Sequence, residues 1–434
     1  MNIKSQQAKN SFLFIFIYLC SLSLQPAFAT QSKEVITTDI WAATATVFKL
    51  VGEKAVNNVK LNWMQREDAD LYRIYRDGNC IGEAKGNTYD DYNLKADKTF
   101  TYHVEAFKEG KKIATSASQQ ATTFTPNGET KVYDNLNGKY ITKESAQKPQ
   151  GMKIGELYFS YKMENVEKEV DGQTLKGWLA TESFSPTGLN GSWSTSRELA
   201  FYPNVKFEGI AFRYNAKTGK VVLSAHYEDQ SGYVAAKIYL AQITPKGELE
   251  VGTMERPLGY DSRDQSLFID DDGTAYLLSA TNMNRDINIY KLDPSWTKPV
   301  LLVNTICKGL HRETPAIIKK DGEYYFFSSK ASGWYPSQTM YTSAADLGGE
   351  WTPMREIGNN STFDAQFNRI STVGKTCGVW SYHWGAQRKY KTPAGNFPRI
   401  SIAAFNKGYA SMDYYRYLEF SDKYGIIPVQ NGKN

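Results

Sequence analysis

The sequence predicts an all-β protein, a β-sandwich over residues 34–124 followed by a five-bladed β-propeller over residues 130–430. Two observations carry this. A glycine turn followed by an alternating aromatic or aliphatic strand recurs five times, beginning at Gly155, Gly219, Gly273, Gly322 and Gly374. The intervals of roughly 50–65 residues each hold one four-stranded sheet, the signature of a propeller. Ahead of these repeats, three alternating strands are punctuated by Asp-Gly and Glu-Gly turns.

Taken from the start, residues 1–29 read as a secretion signal. Lys4 and Lys9 form a basic beginning, residues 12–19 are apolar, and Ala27-Phe28-Ala29 is a small-x-small cleavage site that would leave Thr30 as the mature start. The apolar run is short for a bilayer span. Cys20 follows Ile17-Tyr18-Leu19, without the small residues a lipid-attachment site requires. The expectation is export to the periplasm, the cell surface or the medium, with no membrane span after signal removal.

Val59–Trp63, Leu71–Arg76 and Phe100–Phe107 alternate apolar and polar residues and end in turns such as Asp77-Gly78 and Glu109-Gly110. With Trp63, the Tyr72–Gly78 segment and Leu94, these strands resemble a fibronectin type III domain. The resemblance implies a β-sandwich serving mainly as a spacer. Phe100 stands where that family has its corner tyrosine, so the corner hydroxyl bond is expected to be missing. Residues 125–129, beginning Thr125-Pro126-Asn127-Gly128, read as the linker.

Composition narrows the functional classes. The net charge of +5 is spread without a basic block, which argues against nucleic-acid binding. The 29 Tyr and 9 Trp suit strand packing and also carbohydrate stacking. Cys80, Cys307 and Cys377 remain after signal removal. Three cysteines leave at least one free thiol, their spacing suits no metal, and they are expected to be buried structural thiols.

A propeller places its active site where the first strand of each blade begins, so polar residues just ahead of the repeat strands are the candidates. Glu208, Asp264, Glu313 and Gln366 occupy matching entry positions in successive repeats. A structural ion pair is the plain alternative for Asp264 beside Arg263 and for Glu313 beside Arg312. Asp270-Asp271-Asp272-Gly273 has too few spaced oxygens for an EF-hand and reads as a hairpin turn. Carboxylates gathered on one axis suit glycoside hydrolysis, which needs two polar groups flanking the bond.

Three ordered motifs sharpen this: SRDQSLFIDDDGTAYLL from Ser262, RETPAIIKKDGEYYFFSSKASGWYPS from Arg312 and STFDAQFNRI from Ser361. Together they resemble glycoside hydrolase family 43, and within it the exo-β-1,3-galactanases, from about Asp134 to Trp384. The resemblance implies that Glu313 is the general acid, that Asp264 tunes and orients it, and that Gln366 holds the attacking water in an inverting reaction. It also implies that Glu208, His226, Asn284 and Trp334 bind substrate. The segment from Ile141 to Lys162 lacks the family's His-Gly-Gly, Gly209-Ile210 replaces Arg-Pro after Glu208, and Trp380–Gly385 replaces an Asp-Arg pattern. The leading expectation is an exported exo-acting hydrolase removing terminal sugars from plant-type polysaccharide. The alternatives are a family-43 arabinofuranosidase or xylosidase, and a carbohydrate-binding pseudoenzyme. No cofactor is implied. A structural calcium on the axis is admitted, with His383 as a nearby ligand, and the protein is expected to be a monomer acting on a polysaccharide or oligosaccharide.

Overall fold

A computed structural model describes residues 39–50, 57–125, 131–141, 151–188, 191–229, 232–385, 395–421 and 423–430. The signal segment and all of the linker but Thr125 lie outside these residues. Among the described residues the architecture is all-β, with one 3-10 turn at Pro257–Gly259.

The N-terminal strands follow their period-two pattern. Val59, Leu61 and Trp63 are fully buried, as are Tyr72 and Ile74 on the next strand and Val104 and Ala106 on Thr99–Lys108. Burying each large side chain contributes about 1.5–3 kcal/mol, and these residues form one cluster with Leu94, Phe100 and Tyr102. Phe100 packs there without a hydroxyl. Two residues later, Tyr102 donates to Asp91 Oδ2 at 2.8 Å, and Arg76 pairs with the same carboxylate at 2.8 Å. A buried phenol bond is therefore present, displaced from the expected corner.

The N-terminal strands do not stand apart from the rest of the described chain. Strand Asp39–Leu50 pairs antiparallel with Asn57–Trp63 and parallel with Lys111–Ala117. At its far end Lys49 and Leu50 pair in parallel with Val429 and Gln430 of Gly425–Gln430. That strand continues through Tyr417–Ser421 to Lys131–Asp134, so one sheet runs from the N-terminal region into the last residues. Phe48 is fully buried among Tyr133, Ile400, Ile402, Leu418 and Ile426. Polar bonds add to the join: Lys60 and Asn62 hold Asp413 at 2.7 and 2.9 Å, and Asn406 donates to Ala43 O at 2.7 Å.

The five repeats form five successive four-stranded antiparallel sheets. Their first strands are Met152–Ile154, Lys206–Asn215, Gln265–Ile269, Arg312–Lys320 and Gln366–Val373. All five repeat glycines lie between the first and second strands of their sheets with positive φ, from 56° to 84°, a conformation that costs glycine least. At Gly374 a side chain would also meet the backbone nitrogen of Gly425 at 2.6 Å. Each sheet shares an apolar cluster with the next: Met163 with Phe207, Val222 with Leu277, Phe268 with Ile317, and Phe327 with Phe367.

The cysteines depart in part from expectation. Cys377 is buried and Cys307 half-buried, but Cys80 is exposed; all three are free thiols. Cys80 lies on Asn79–Ala84 in an open stretch of that strand, so the local pattern hid its exposure.

Candidate active site

Four carboxylate or amide side chains stand at the entries of four consecutive sheets. Glu208 opens the second, Asp264 precedes the third, Glu313 opens the fourth and Gln366 begins the fifth. Each of the three entry strands loses register just beyond its residue, between Glu208 and Ala211, Glu313 and Ala316, and Phe367 and Arg369. Such bulges bend a strand and re-aim its side chains. Gly209 and Thr314 adopt φ of 59° and 52° at the first two.

Glu313 is the centre of the arrangement. Its Oε1 accepts from Gln366 Nε2 at 2.6 Å and from the Ser332 amide at 3.3 Å, and its Oε2 accepts a long bond from Asn284 Nδ2 at 3.4 Å. Burial, reinforced by the charge of Asp264, pushes this carboxyl up to about 7. Arg312, the expected ion-pair partner, turns the other way: it is 4% exposed and donates to Ser328 Oγ, Ser328 O and Gln338 O. Its opposing influence on Glu313 is the least of the causes.

Asp264 stands close enough to Glu313 for its charge to act on it. It keeps some accessible surface, yet protein crowds it closely enough that burial raises its carboxyl above the ordinary range. Oδ2 accepts from the Thr314 amide at 3.0 Å, which ties Asp264 to the backbone next to Glu313. Its sequence neighbour Arg263 instead donates to Tyr233 O at 3.2 Å.

Glu208 has a different character. Burial would raise its carboxyl, but His226, Lys206 and Tyr233 together hold it down at about 2. Tyr233 donates to Oε1 at 2.7 Å and Lys206 Nζ lies 2.8 Å away. His226 Nδ1 is 3.6 Å from Oε2, a long contact. The ring is fixed from behind, because its Nε2 is 2.7 Å from Glu228 Oε1 and Glu228 is in turn held by the Ala236 amide at 3.0 Å.

Gln366 is oriented by Trp384, whose indole N–H donates to Oε1 at 2.8 Å, and this forces the amide nitrogen toward Glu313. Two left-handed segments set the site's edges. Asn282, Met283 and Asn284 all have positive φ and are pinned by Asp261, which accepts from the amides of Asn282 and Met283 at 2.7 and 3.0 Å. Thr362, Phe363 and Asp364 have positive φ immediately before Gln366, with Asn359 accepting from the Phe363 amide at 2.6 Å. Strain of this kind persists only where surrounding bonds over-determine it.

The structure thus brings Glu208, His226, Asp264, Asn284, Glu313 and Gln366 together through shared bonds and charges. Trp334 is 54% exposed, as its neighbour Tyr335 is, and stands two residues beyond Ser332 in the chain. His383 faces Asp364, its Nδ1 lying 3.0 Å from the backbone oxygen and 3.1 Å from the carboxylate. No cluster of metal-ligating side chains occurs among the described residues. Sequence reasoning missed Lys206, Glu228, Tyr233, Ser332 and Trp384. Trp384 sat in a segment noted only for its departure from the family pattern. A separate cleft lined by Thr305, Cys307, Trp351 and Met354 contains none of these groups.

A raised buried carboxyl beside a second carboxyl defines a class of site suited to acid-assisted bond cleavage. The comparisons point to the same class. Residues 249–379, which include Asp264, Glu313 and Gln366, match the model of glycosyl hydrolases family 43. An exo-β-1,3-galactanase from Clostridium thermocellum is similar in structure, with 26% identity over 70% of this chain and 68% of that one and a TM-score of 0.53. An exo-β-1,3-galactanase from Phanerochaete chrysosporium, solved with β-1,3-galactotriose, shares the fold at 23% identity over 68% of each chain, with a TM-score of 0.50. No curated protein matches the chain.

Proposed function

We propose that the protein is an exported, exo-acting glycoside hydrolase that removes terminal sugars from a polysaccharide, with β-1,3-linked galactose as the leading substrate and inversion at the anomeric carbon. In this reading the five sheets close into a five-bladed propeller and the carboxylates stand around its mouth. The observation that carries it is Glu313, a carboxyl raised to about 7 and held by three donors. A group with that pKa is protonated in a useful fraction near neutrality and can give its proton to a departing glycosidic oxygen.

The other roles follow from the geometry. Asp264 keeps Glu313 protonated by its negative field and fixes the adjoining backbone through Thr314. Glu208, ionised down to about pH 2, is too weak a base to take a proton, and acts as an acceptor for sugar hydroxyls with Tyr233 and His226 beside it. Asn284 Oδ1 is buried with no partner among the described residues and offers a further acceptor. Gln366 has one lone pair of Oε1 beyond Trp384's bond, which can hold the attacking water. Water adds to the anomeric carbon and its proton passes to solvent, while Glu313 regains a proton from solvent after giving its own to the leaving oxygen. Trp334 supplies a ring face at the rim for a sugar to stack on.

The test is release of galactose from β-1,3-galactan and from de-branched arabinogalactan, wild type against Glu313→Gln. Free galactose lost in the variant supports the reading. No release from either, with the polysaccharide still retarding the protein in a gel, replaces it with a binding protein. Silence and no retardation move the search to arabinosides and xylosides.

A further inference from the structure

Glu228 ends the second strand of the second sheet, Lys220–Glu228, and no step of the proposed reaction uses it. It is 1% exposed, as is His226 two residues earlier. Residues two apart on a strand share a face. The register sets this face opposite Glu208 and Lys206 of the first strand, which pair with His226 and Glu228 in turn. Two ionisable side chains are therefore buried side by side behind the group read as a sugar acceptor.

Every polar atom of the Glu228 side chain is used. Oε1 lies 2.7 Å from His226 Nε2, and Oε2 accepts from the Ala236 amide at 3.0 Å. An apolar pair of similar volume would fill the same space at little or no loss of stability, so the value of this pair lies in what it orients.

Two groups are oriented. The first is the imidazole. The Ala236 N–H can only donate, which commits Oε2 to it and leaves Oε1 to face Nε2. A carboxylate oxygen there requires a proton on Nε2, and the ring is held with Nδ1 toward Glu208, 3.6 Å from its Oε2. The second is the segment that carries Tyr233. Ala236 adopts a φ of 46°, a conformation that a non-glycine residue keeps only under outside constraint. Its amide is held by Glu228, and its carbonyl accepts at 2.8 Å from the amide of Ser262, two residues ahead of Asp264. Arg256 holds the carbonyls of Val234 and Ala235 at 2.9 and 3.1 Å, and Arg263 that of Tyr233 at 3.2 Å. Tyr233 thereby reaches Glu208 Oε1 at 2.7 Å with its ring stacked on His226, centroids 5.9 Å apart.

We infer that Glu228 is a positioning residue: this one carboxylate sets which nitrogen of His226 bears a proton and anchors the segment that carries Tyr233, and so places two of the partners of Glu208. The inference rests on the glycosidase reading and deepens it, by tracing the shape of the Glu208 subsite to a group buried out of reach of any sugar.

Glu228→Gln tests it because the substitution keeps size. The amide oxygen must still take the Ala236 N–H, so the NH2 faces His226 and Nε2 becomes an acceptor. The full chain is prepared with isotope-labelled histidine and the ring nitrogens are read by NMR at neutral pH. The four histidines are told apart by the signals lost in His226→Gln. The expected result is a proton on His226 Nε2 in the wild type and a bare Nε2 in Glu228→Gln. In the Glu313→Gln background, the Glu228→Gln change is expected to weaken calorimetric binding of β-1,3-galactobiose about fivefold. In the active form it should raise KM for 4-nitrophenyl β-galactoside by a similar factor and leave kcat within about twofold. A bare Nε2 in the wild type overturns the inference whether or not the variant folds. Unaltered ring signals in Glu228→Gln, or binding as tight as its parent's, overturn it too. If no form binds or cleaves, the glycosidase reading falls and the ring signals alone decide whether Glu228 sets the imidazole.

Discussion

Trp384 reaches Glu313 through Gln366: the indole N–H donates to the amide oxygen at 2.8 Å and the amide nitrogen donates to Glu313 at 2.6 Å. The donation to Glu313 stabilises its ionised form, so it opposes the burial and the Asp264 charge that raise this carboxyl. Replacing Trp384 with Phe removes the orienting bond and lets the amide rotate. The alkaline limb of the pH–rate profile is then expected to move upward. The rate at the optimum is expected to fall about fivefold, the cost of one lost hydrogen bond. A limb that stays in place would show that Gln366 is oriented without the tryptophan.

Glu313→Gln keeps shape and removes the proton that is given away. Turnover is expected to fall by about 10²–10⁴, with binding preserved. The sign of the wild-type pH dependence follows from the raised carboxyl. Activity that needs the protonated form is present below about 7 and declines as pH rises through it. Asp264→Asn removes a negative neighbour and should shift that decline to lower pH.

Glu208 titrates in the opposite sense. Its folded pKa of about 2 lies below the ordinary 4.5, so its contribution to stability is present above about 4.5 and is lost as pH falls toward 2. Glu208→Gln should flatten the loss of thermal stability over that window. At neutral pH it should raise KM with a smaller effect on kcat. Thermal scans between pH 5 and 2.5, alongside steady-state kinetics, separate the two effects.

Phe48 belongs to the N-terminal strands but is buried among residues of the fifth sheet and the C-terminal strands. Phe48→Ala should cost about 3–5 kcal/mol. Denaturation of the wild type should show one transition by both tryptophan fluorescence and far-UV circular dichroism. Two separated transitions would mean that the N-terminal strands and the five sheets fold independently.

Much of this was legible because local chemistry enforces it. The five repeat glycines were visible since a positive φ at a hairpin turn selects for glycine, and the spacing then set the number of sheets. Asp264 and Glu313 could be found because a carboxylate at the head of an apolar strand is an unusual neighbour for that strand. Tyr233, Ser332 and Trp384 could not. They enter from connections and strand ends whose distance from Glu208, Glu313 and Gln366 is set by register, not by sequence proximity. The join of the N-terminal strands to Gly425–Gln430 was hidden for the same reason, since the parallel pairing of Lys49 with Val429 leaves no trace near either residue.

That parallel pairing also sets a timetable. Strand Asp39–Leu50 has its hairpin partner, Asn57–Trp63, almost as soon as it is synthesised. Its pairing with Gly425–Gln430, and the pocket that receives Phe48, come into being only after the intervening chain has been made. Until residues 400–430 are made, the nascent protein carries an uncovered aromatic side chain and a half-paired edge, features that invite association with other chains. Strand Gly425–Gln430 is therefore the latch that closes Asp39–Leu50.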